Sequence, residues 1–194
     1  MKTLKLFAAS LLITGAAQAQ TNWSFDASHT KVAFTATHLM VTEVTGQFKV
    51  FDGKVVATKD DFSDSQIEFT VDVNSINTDN DARDKHLKSD DFFNAEKYPK
   101  MTFKGTSFKK INDKSYKLTG QLTIRDVTKT VTFDVIYNGT VKDPWGNTKA
   151  GFKLTGSINR TDYNLKWNAA IEAGGVVVSE KIDITCNVEL AKQK

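Results

Sequence analysis

The chain is predicted to be an all-β domain of eight antiparallel strands, on three observations. Eight segments alternate apolar and polar residues with a period of two, the period of a strand whose successive side chains point to opposite faces. Several of these segments are joined by turn signals too short for parallel crossovers, which need a dozen residues or more. The composition is rich in rings, with 13 Phe, 4 Tyr and 3 Trp against 2 Pro in 194 residues. Something large and apolar must be lined or filled.

Taken in order, the first strand carries Val32, Phe34, Ala36 and His38 on one face and Ala33, Thr35 and Thr37 on the other. Gly46, Phe48 and Val50 continue the pattern in the second, and Ile67, Phe69, Val71 and Val73 in the third. Met101 and Phe103 mark a fourth, and Tyr116, Leu118, Gly120, Leu122 and Ile124 a fifth. The sixth holds Val131, Phe133, Val135 and Tyr137, and the seventh Phe152, Leu154, Gly156 and Ile158. Ile182, Ile184, Cys186 and Val188 form the eighth. Turn signals stand at Asn112-Asp113-Lys114, at Arg125-Asp126-Val127-Thr128 and at 143–147. Two segments break the period. Residues 77–99 are polar and long enough for one or two short helices, with Ser89 placed to cap a turn that carries Phe92 and Phe93 inward. Residues 160–175 hold Tyr163, Leu165 and Trp167 before Gly174-Gly175. Eight amphipathic strands can stack as a sandwich or close as a barrel, and closure removes the exposed edges. At eight strands a barrel interior is either filled by side chains or holds one ligand.

Met1 to Ala19 reads as a secretory leader rather than as fold. Lys2 and Lys5 precede an apolar run from Leu6 to Ala17, too short to span a bilayer, and Ala17-Gln18-Ala19 is a small-x-small cleavage site. Removal of residues 1–19 from the 194 leaves 175 residues in one domain, 20–194, and lowers the net charge from +3 to +1 as Lys2 and Lys5 leave. Neither value argues for a nucleic-acid partner. No second apolar stretch approaches transmembrane length, and export without disulfides fits a bacterial periplasm better than a eukaryotic secretory route, so the periplasm is the expected location. The single cysteine, Cys186, cannot form an internal disulfide, and its place on an apolar strand face reads as a small buried hydrophobe.

The residues offer little for catalysis. His29, His38 and His86 lack metal-ligand spacing, Cys186 has no second cysteine, and no glycine-flanked serine elbow occurs, so neither a metal nor an enzyme is expected. Arg83-Asp84-x-His86 is the most enzyme-like cluster. Arg83 can pair with an anionic head group and His86 can carry a proton. The favoured reading, since no positioned nucleophile accompanies them, is that Arg83 and Asp84 tie the polar insertion to a barrel rim. Arg125, Lys129 and Arg160 are further head-group candidates, each otherwise a plain surface charge. His38 is either a mouth residue or a satisfied rim histidine.

From Trp23 onward the chain resembles the YceI-like family of periplasmic polyisoprenoid-binding proteins. The matching residues are Trp23-x-x-Asp26 with Ser28-His29, Val32-x-Phe34-x-x-x-His38, Gly46-x-Phe48-x-x-Phe51-x-Gly53 and Ser75-Ile76-x-Thr78. The most specific block is Arg83-Asp84-x-His86-Leu87-x-Ser89-x-x-Phe92-Phe93, ending at Tyr98-Pro99. Gly120-x-Leu122-Thr123-Ile124, Val127-Thr128-Lys129, Gly151-Phe152 and Arg160-x-Asp162-Tyr163 follow in order. Thr30, Asp126 and Asn164 depart from the family pattern, each in a turn. The resemblance implies a lipocalin-like antiparallel barrel around an apolar tunnel, a long isoprenoid chain or related amphiphile as ligand, a capacity to form homodimers, no catalysis and no other cofactor.

On that reading Val32, Phe34, His38, Phe48, Phe69, Val71, Phe103, Leu122, Phe133, Phe152, Leu154 and Ile184 line the cavity, with Arg83, His86 and Arg160 as head-group candidates. Gly46, Gly120 and Gly156 are expected to remove bulk where a lipid chain passes. Each five-carbon unit buried gains about 3–4 kcal/mol gross at ~0.8 kcal/mol per CH2. Micromolar affinity needs about 8 kcal/mol net, so a few units suffice after ordering losses of several kcal/mol. The expected function is therefore carriage of a quinone or prenyl phosphate. Its rivals are an enzyme acting on an amphiphile in the same cavity and a stress-related barrel with a filled interior.

Overall fold

Each of the eight alternating segments forms a strand, and three further strands complete a sheet that closes on itself. The structure, a computed structural model, describes residues 20–172 and 174–194, so the expected leader lies outside the described residues. In chain order the strands are β1 (Thr21–Phe25), β2 (Lys31–His38), β3 (Thr42–Phe48), β4 (Phe51–Ala57), β5 (Gln66–Asp72) and β6 (Ile76–Asn77). Helix α1 (Asp81–Lys88) follows, then β7 (Lys100–Lys110), β8 (Ser115–Ile124), β9 (Val127–Lys142), β10 (Thr148–Asn159) and β11 (Val178–Lys192). The hydrogen-bonded order β1-β4-β5-β7-β8-β9-β10-β11 returns to β1, while β2, β3 and β6 continue the sheet from β11. No helix among the described residues is long and apolar enough to cross a membrane.

The eleven strands follow eight paths, because three paths are bent. β11 pairs with β2 through Val178–Asn187 and with β1 through Leu190–Lys192, so β1 and β2 lie end to end along it. β4 and β3 pair with β1 and β2 in turn, and β5 and β6 with β4 and β3. The alternation in sequence marks β2, β3 and β5 but not their continuations β1, β4 and β6. Each bend has its own hydrogen bonds. At the first, Thr30 Oγ1 accepts from Glu189 N at 3.1 Å and donates to Glu189 O at 3.3 Å, restoring ladder partners where the strand breaks. At the third, a 3-10 turn over Val73–Ser75 is capped by Asp72, whose carboxylate accepts from Asn74 N at 2.9 Å.

Alternation is sharpest on β8 and β9. Leu118, Gly120, Leu122 and Ile124 face the interior, while outward Thr119, Gln121 and Thr123 bond across to Thr132, Thr130 and Thr128. The apolar side chains form two clusters. One, around Trp23, Phe62, Phe108, Tyr116 and Phe152, fills one end of the barrel, and the other, around Val73, Ile76, Ala95, Tyr163 and Leu165, lies under the insertions.

The insertion between β6 and β7 begins with α1, capped by Asn80, whose side chain accepts from Arg83 N at 2.9 Å. Ser89 does not cap a following turn. It ends α1, its hydroxyl donating to His86 O at 2.7 Å, and the backbone folds back from there so that Phe92 is buried. The departures from the family pattern fall in tight turns. Asn164 has φ +63°, a left-handed conformation that Asn tolerates. In the β8–β9 turn the positive φ of +55° falls on Arg125, which leaves Asp126 in an ordinary conformation.

Candidate functional site

A cavity of about 270 Å3 occupies the barrel interior. Its wall comes from the inward residues of every strand path, and its roof from the insertion (Leu87, Phe92 and Phe93) and from Leu165 after β10. Eleven of the twelve cavity candidates lie on it: Val32, Phe34, Phe48, Phe69, Val71, Phe103, Leu122, Phe133, Phe152, Leu154 and Ile184. Among the described residues, and apart from Cys186, its only lining residues with polar side chains are Ser65, Thr102 and Arg160. A lining this predominantly apolar suits apolar guests.

His38 is not among the lining residues. It ends β2, paired in register with Thr42 and Val178, where the β11 register shifts between Val178 and Ile182. The inward face therefore stops at Ala36, and His38 lies half-buried beyond the wall.

The glycines play a different part from the one expected. Phe34 lies opposite Gly46, and a Cβ there would collide with the ring. Phe103 covers Gly120 in the same way, and Phe133 covers Gly156, its Cδ1 2.5 Å from where a Cβ would stand. Gly53 serves both Phe25 and Phe69, each 2.9 Å away by the same measure. The glycines thus make room for rings rather than directly for a ligand, and the rings lie along the wall instead of across the bore.

One end of the cavity is closed by Phe62, 2% exposed, from the loop between β4 and β5. It meets Trp23 and Phe152 with ring centroids 5.1 Å away, and Tyr137 at 5.8 Å. Tyr116 donates to Asp61 O at 2.7 Å and Asp64 bonds Thr58, which fix that loop. Phe62 carries φ +60°, a conformation that a bulky residue adopts only when its surroundings enforce it. Sequence reasoning missed Phe62 because no alternation marks a loop. It also passed over Phe25, although Trp23 and Phe25 already show the two-residue spacing.

The head-group candidates separate clearly. Arg83 donates from Nε to Thr78 Oγ1 at 2.8 Å and from Nη2 to Thr78 O at 2.7 Å, outside the cavity. Buried Asp84 accepts from the Thr78 hydroxyl at 2.6 Å and from Thr78 N at 2.9 Å. Together they bind α1 to the end of β6. His86 meets Asp91 at 2.8 Å and stands edge-on to Phe92 and Trp167, also outside the cavity. Arg125 donates to the carbonyls of Asp90, Phe92 and Asn164 and to the Asp90 carboxylate, holding the two insertions together. Lys129 lies 3.4 Å from Asp162. Only Arg160 lines the cavity, and it is no surface charge, being 3% exposed.

The thiol of Cys186 also faces the cavity, and burial pushes it up to about 12, so it stays protonated and inert at neutral pH. The one group with metal-like convergence among the described residues is Asp26, His29 and Glu189 on the outer wall. Lys149 already lies 2.6 Å from Asp26 and 3.1 Å from Glu189, in the place a cation would take.

Comparison with known proteins agrees with this architecture. A UPF0312 protein of Staphylococcus aureus (strain bovine RF122 / ET3-1) is 40% identical over 172 residues, covering 88% of this chain and 98% of that protein. A crystallised YceI protein of Campylobacter jejuni is 35% identical, with a TM-score of 0.70 over 81% of this chain and 90% of its own. A polyisoprenoid binding domain from Saccharophagus degradans, implicated in plant cell wall breakdown, shares the fold alone. It is 15% identical, with a TM-score of 0.63 over 88% of this chain and 98% of its own. The family model described as YceI-like domain matches residues 23–190, and the chain belongs to that family.

Proposed function

We propose that this protein is exported to the periplasm and there holds a long-chain isoprenoid lipid, of quinone or prenyl phosphate type, as a binding and carrier protein without catalytic activity. The observation that carries the reading is a cavity lined almost wholly by aliphatic and aromatic side chains. The Saccharophagus domain of the same fold, named for polyisoprenoid binding, supports it. At about 270 Å3 the cavity lies just below the ~300–1,000 Å3 common for ligand pockets. It therefore takes part of a long tail, with the remainder passing beyond the wall or displacing side chains. A few buried five-carbon units, at about 3–4 kcal/mol gross each, cover both affinity and ordering losses.

Native mass spectrometry of freshly purified protein, followed by solvent extraction, tests the reading. The expected result is a bound species whose mass and fragments identify a polyprenyl chain. An empty barrel in both measurements contradicts it. The mature N-terminus from the same spectra checks cleavage after Ala19. The variant Phe69→Asp places a carboxylate between Phe25 and Phe51, where it has no partner. Folded Phe69→Asp protein is expected to yield no lipid, and unchanged lipid content removes Phe69 from the binding wall.

A further inference from the structure

The cavity is not uniformly apolar: one charged side chain lines it, and among the described residues no carboxylate lies within ion-pair distance of it, Glu180 acting on it only from farther away. Arg160 follows β10 directly and starts a 3-10 turn over Arg160–Tyr163. Its Nε donates to Ser179 O at 2.8 Å, and Nη1 donates to Leu165 O at 2.5 Å and Trp167 O at 2.9 Å. Nη2 donates to Val178 O at 3.2 Å. A guanidinium has five N–H donors, so these bonds leave one Nη2 hydrogen without an acceptor among the described residues. No carboxylate among the described residues forms an ion pair with Arg160. The guanidinium stands 5.9 Å above the Phe92 ring. Phe92, Leu165 and Val178 line the same end of the cavity.

Burying a charge without a partner is costly, and proteins normally pair it. Four carbonyls offset part of that cost through their dipoles, but they bring no negative charge. A purely structural clamp for the 160–177 loop does not require a cation on the wall of a lipid cavity. We propose that Arg160 receives the head group of the bound lipid, and that the cavity therefore selects amphiphiles whose heads accept hydrogen bonds without donating them. Phosphate, carboxylate and quinone carbonyl oxygens share that chemistry, and an ammonium head has the opposite one. The inference rests on the carrier reading above. It also orients the ligand, with its head beside Arg160 under the insertions and its tail running toward Phe62. A charge-assisted hydrogen bond to a buried guanidinium is worth roughly 1.5–3 kcal/mol, which converts to about a tenfold to hundredfold preference.

The test uses the mature protein, stripped of lipid by solvent, with three probes that share one tail: geranylgeranyl phosphate, geranylgeraniol and geranylgeranylamine. Affinities come from tryptophan quenching. The expected order is phosphate tightest, at least tenfold over the alcohol, with the amine weakest. In folded Arg160→Met the preference for phosphate over alcohol is expected to fall below threefold while the alcohol still binds, whereas folded Arg160→Lys, which keeps a cation, is expected to retain part of it. Where those variants do not fold, the Arg160 guanidinium resonances of isotopically labelled wild-type protein serve instead. They are expected to shift with the phosphate and much less with the alcohol. Equal binding of all three probes, or a phosphate preference that survives in folded Arg160→Met, overturns the head-group inference and leaves the carrier reading standing. Failure of every probe to bind overturns both.

Discussion

At the scale of single residues, the bore depends on pairs of phenylalanine and glycine on neighbouring strands. Gly46, Gly120 and Gly156 each accept a ring from Phe34, Phe103 or Phe133. A methyl group at any of them meets the ring first, and the ring's free direction is the lumen. Gly156→Ala is accordingly expected to cost about 1–3 kcal/mol, the usual range for overpacking a fitted interior, and to reduce the lipid carried. Thermal denaturation and extracted lipid per chain measure the two effects. Adding Phe133→Leu to Gly156→Ala is expected to restore uptake, since the shorter side chain clears the new methyl. Full uptake by Gly156→Ala at unchanged stability contradicts the account. These pairs also show a limit of sequence reasoning. The alternation places both residues on the inward face, but register decides which ring rests on which glycine, and register is not written in either strand alone.

At the scale of elements, what could be read ahead depended on regularity. The long paths β7 to β11 carry clear alternating stretches in the sequence, broken by register shifts at Gly105/Ser107, at Gly151/Phe152 and between Val178 and Ile182, and the polar insertion carrying Phe92 and Phe93 is plain as well. The bent paths are only half legible. Val32, Phe34 and Ala36 announce β2, but Trp23 and Phe25 announce β1 with two residues, and the break between them is made by a tertiary contact, Thr30 with Glu189. Phe62 depends on a loop conformation that no periodic pattern encodes. The β2–β3 hairpin shows a similar local exception. Leu39 and Met40 have φ of +51° and +62°, and Val41 N bonds His38 O at 3.1 Å, the signature of a type I′ turn. Asn-Gly suits that turn and Leu-Met does not. Leu39 and Met40 are also exposed, so little packing repays the strain. The double substitution Leu39→Asn with Met40→Gly is therefore expected to stabilise the fold by about 1 kcal/mol. A higher urea midpoint at unchanged slope is the expected observation, and a lower midpoint contradicts this assignment of strain.

For the molecule as a whole, the cavity exists because the sheet closes, and closure is narrow at one place. β1 meets β11 through only three register partners, Trp23, Ser24 and Phe25 against Lys192, Ala191 and Leu190. Just past that contact, Asp26, Lys149 of β10 and Glu189 of β11 tie three adjoining segments together, with Asp26 and Lys149 2.6 Å apart and both half-buried. The Lys149 ammonium, first, and then His29 and the Ser28 amide bring the Asp26 carboxyl down to about 2 from its ordinary 3.8, against the opposing effect of burial. A carboxyl with a depressed folded-state value contributes stability that is whole above its unfolded value and is lost as pH falls through the folded one. For Asp26 the loss runs from about pH 4 down to about pH 2, and the contribution at neutral pH is on the order of 2 kcal/mol. Asp26→Asn is expected to lose most of that at pH 7, tempered because Glu189 still pairs with Lys149. Urea titrations from pH 7 to pH 2 should bring wild type and variant together as Asp26 protonates. The same titrations with bound lipid quantified connect seam to function. If this tie holds the wall shut, the variant releases lipid at pH 7 more readily than wild type, and the difference narrows over the same interval. A gap in stability that persists unchanged at pH 2 places the effect of the substitution in packing rather than in charge.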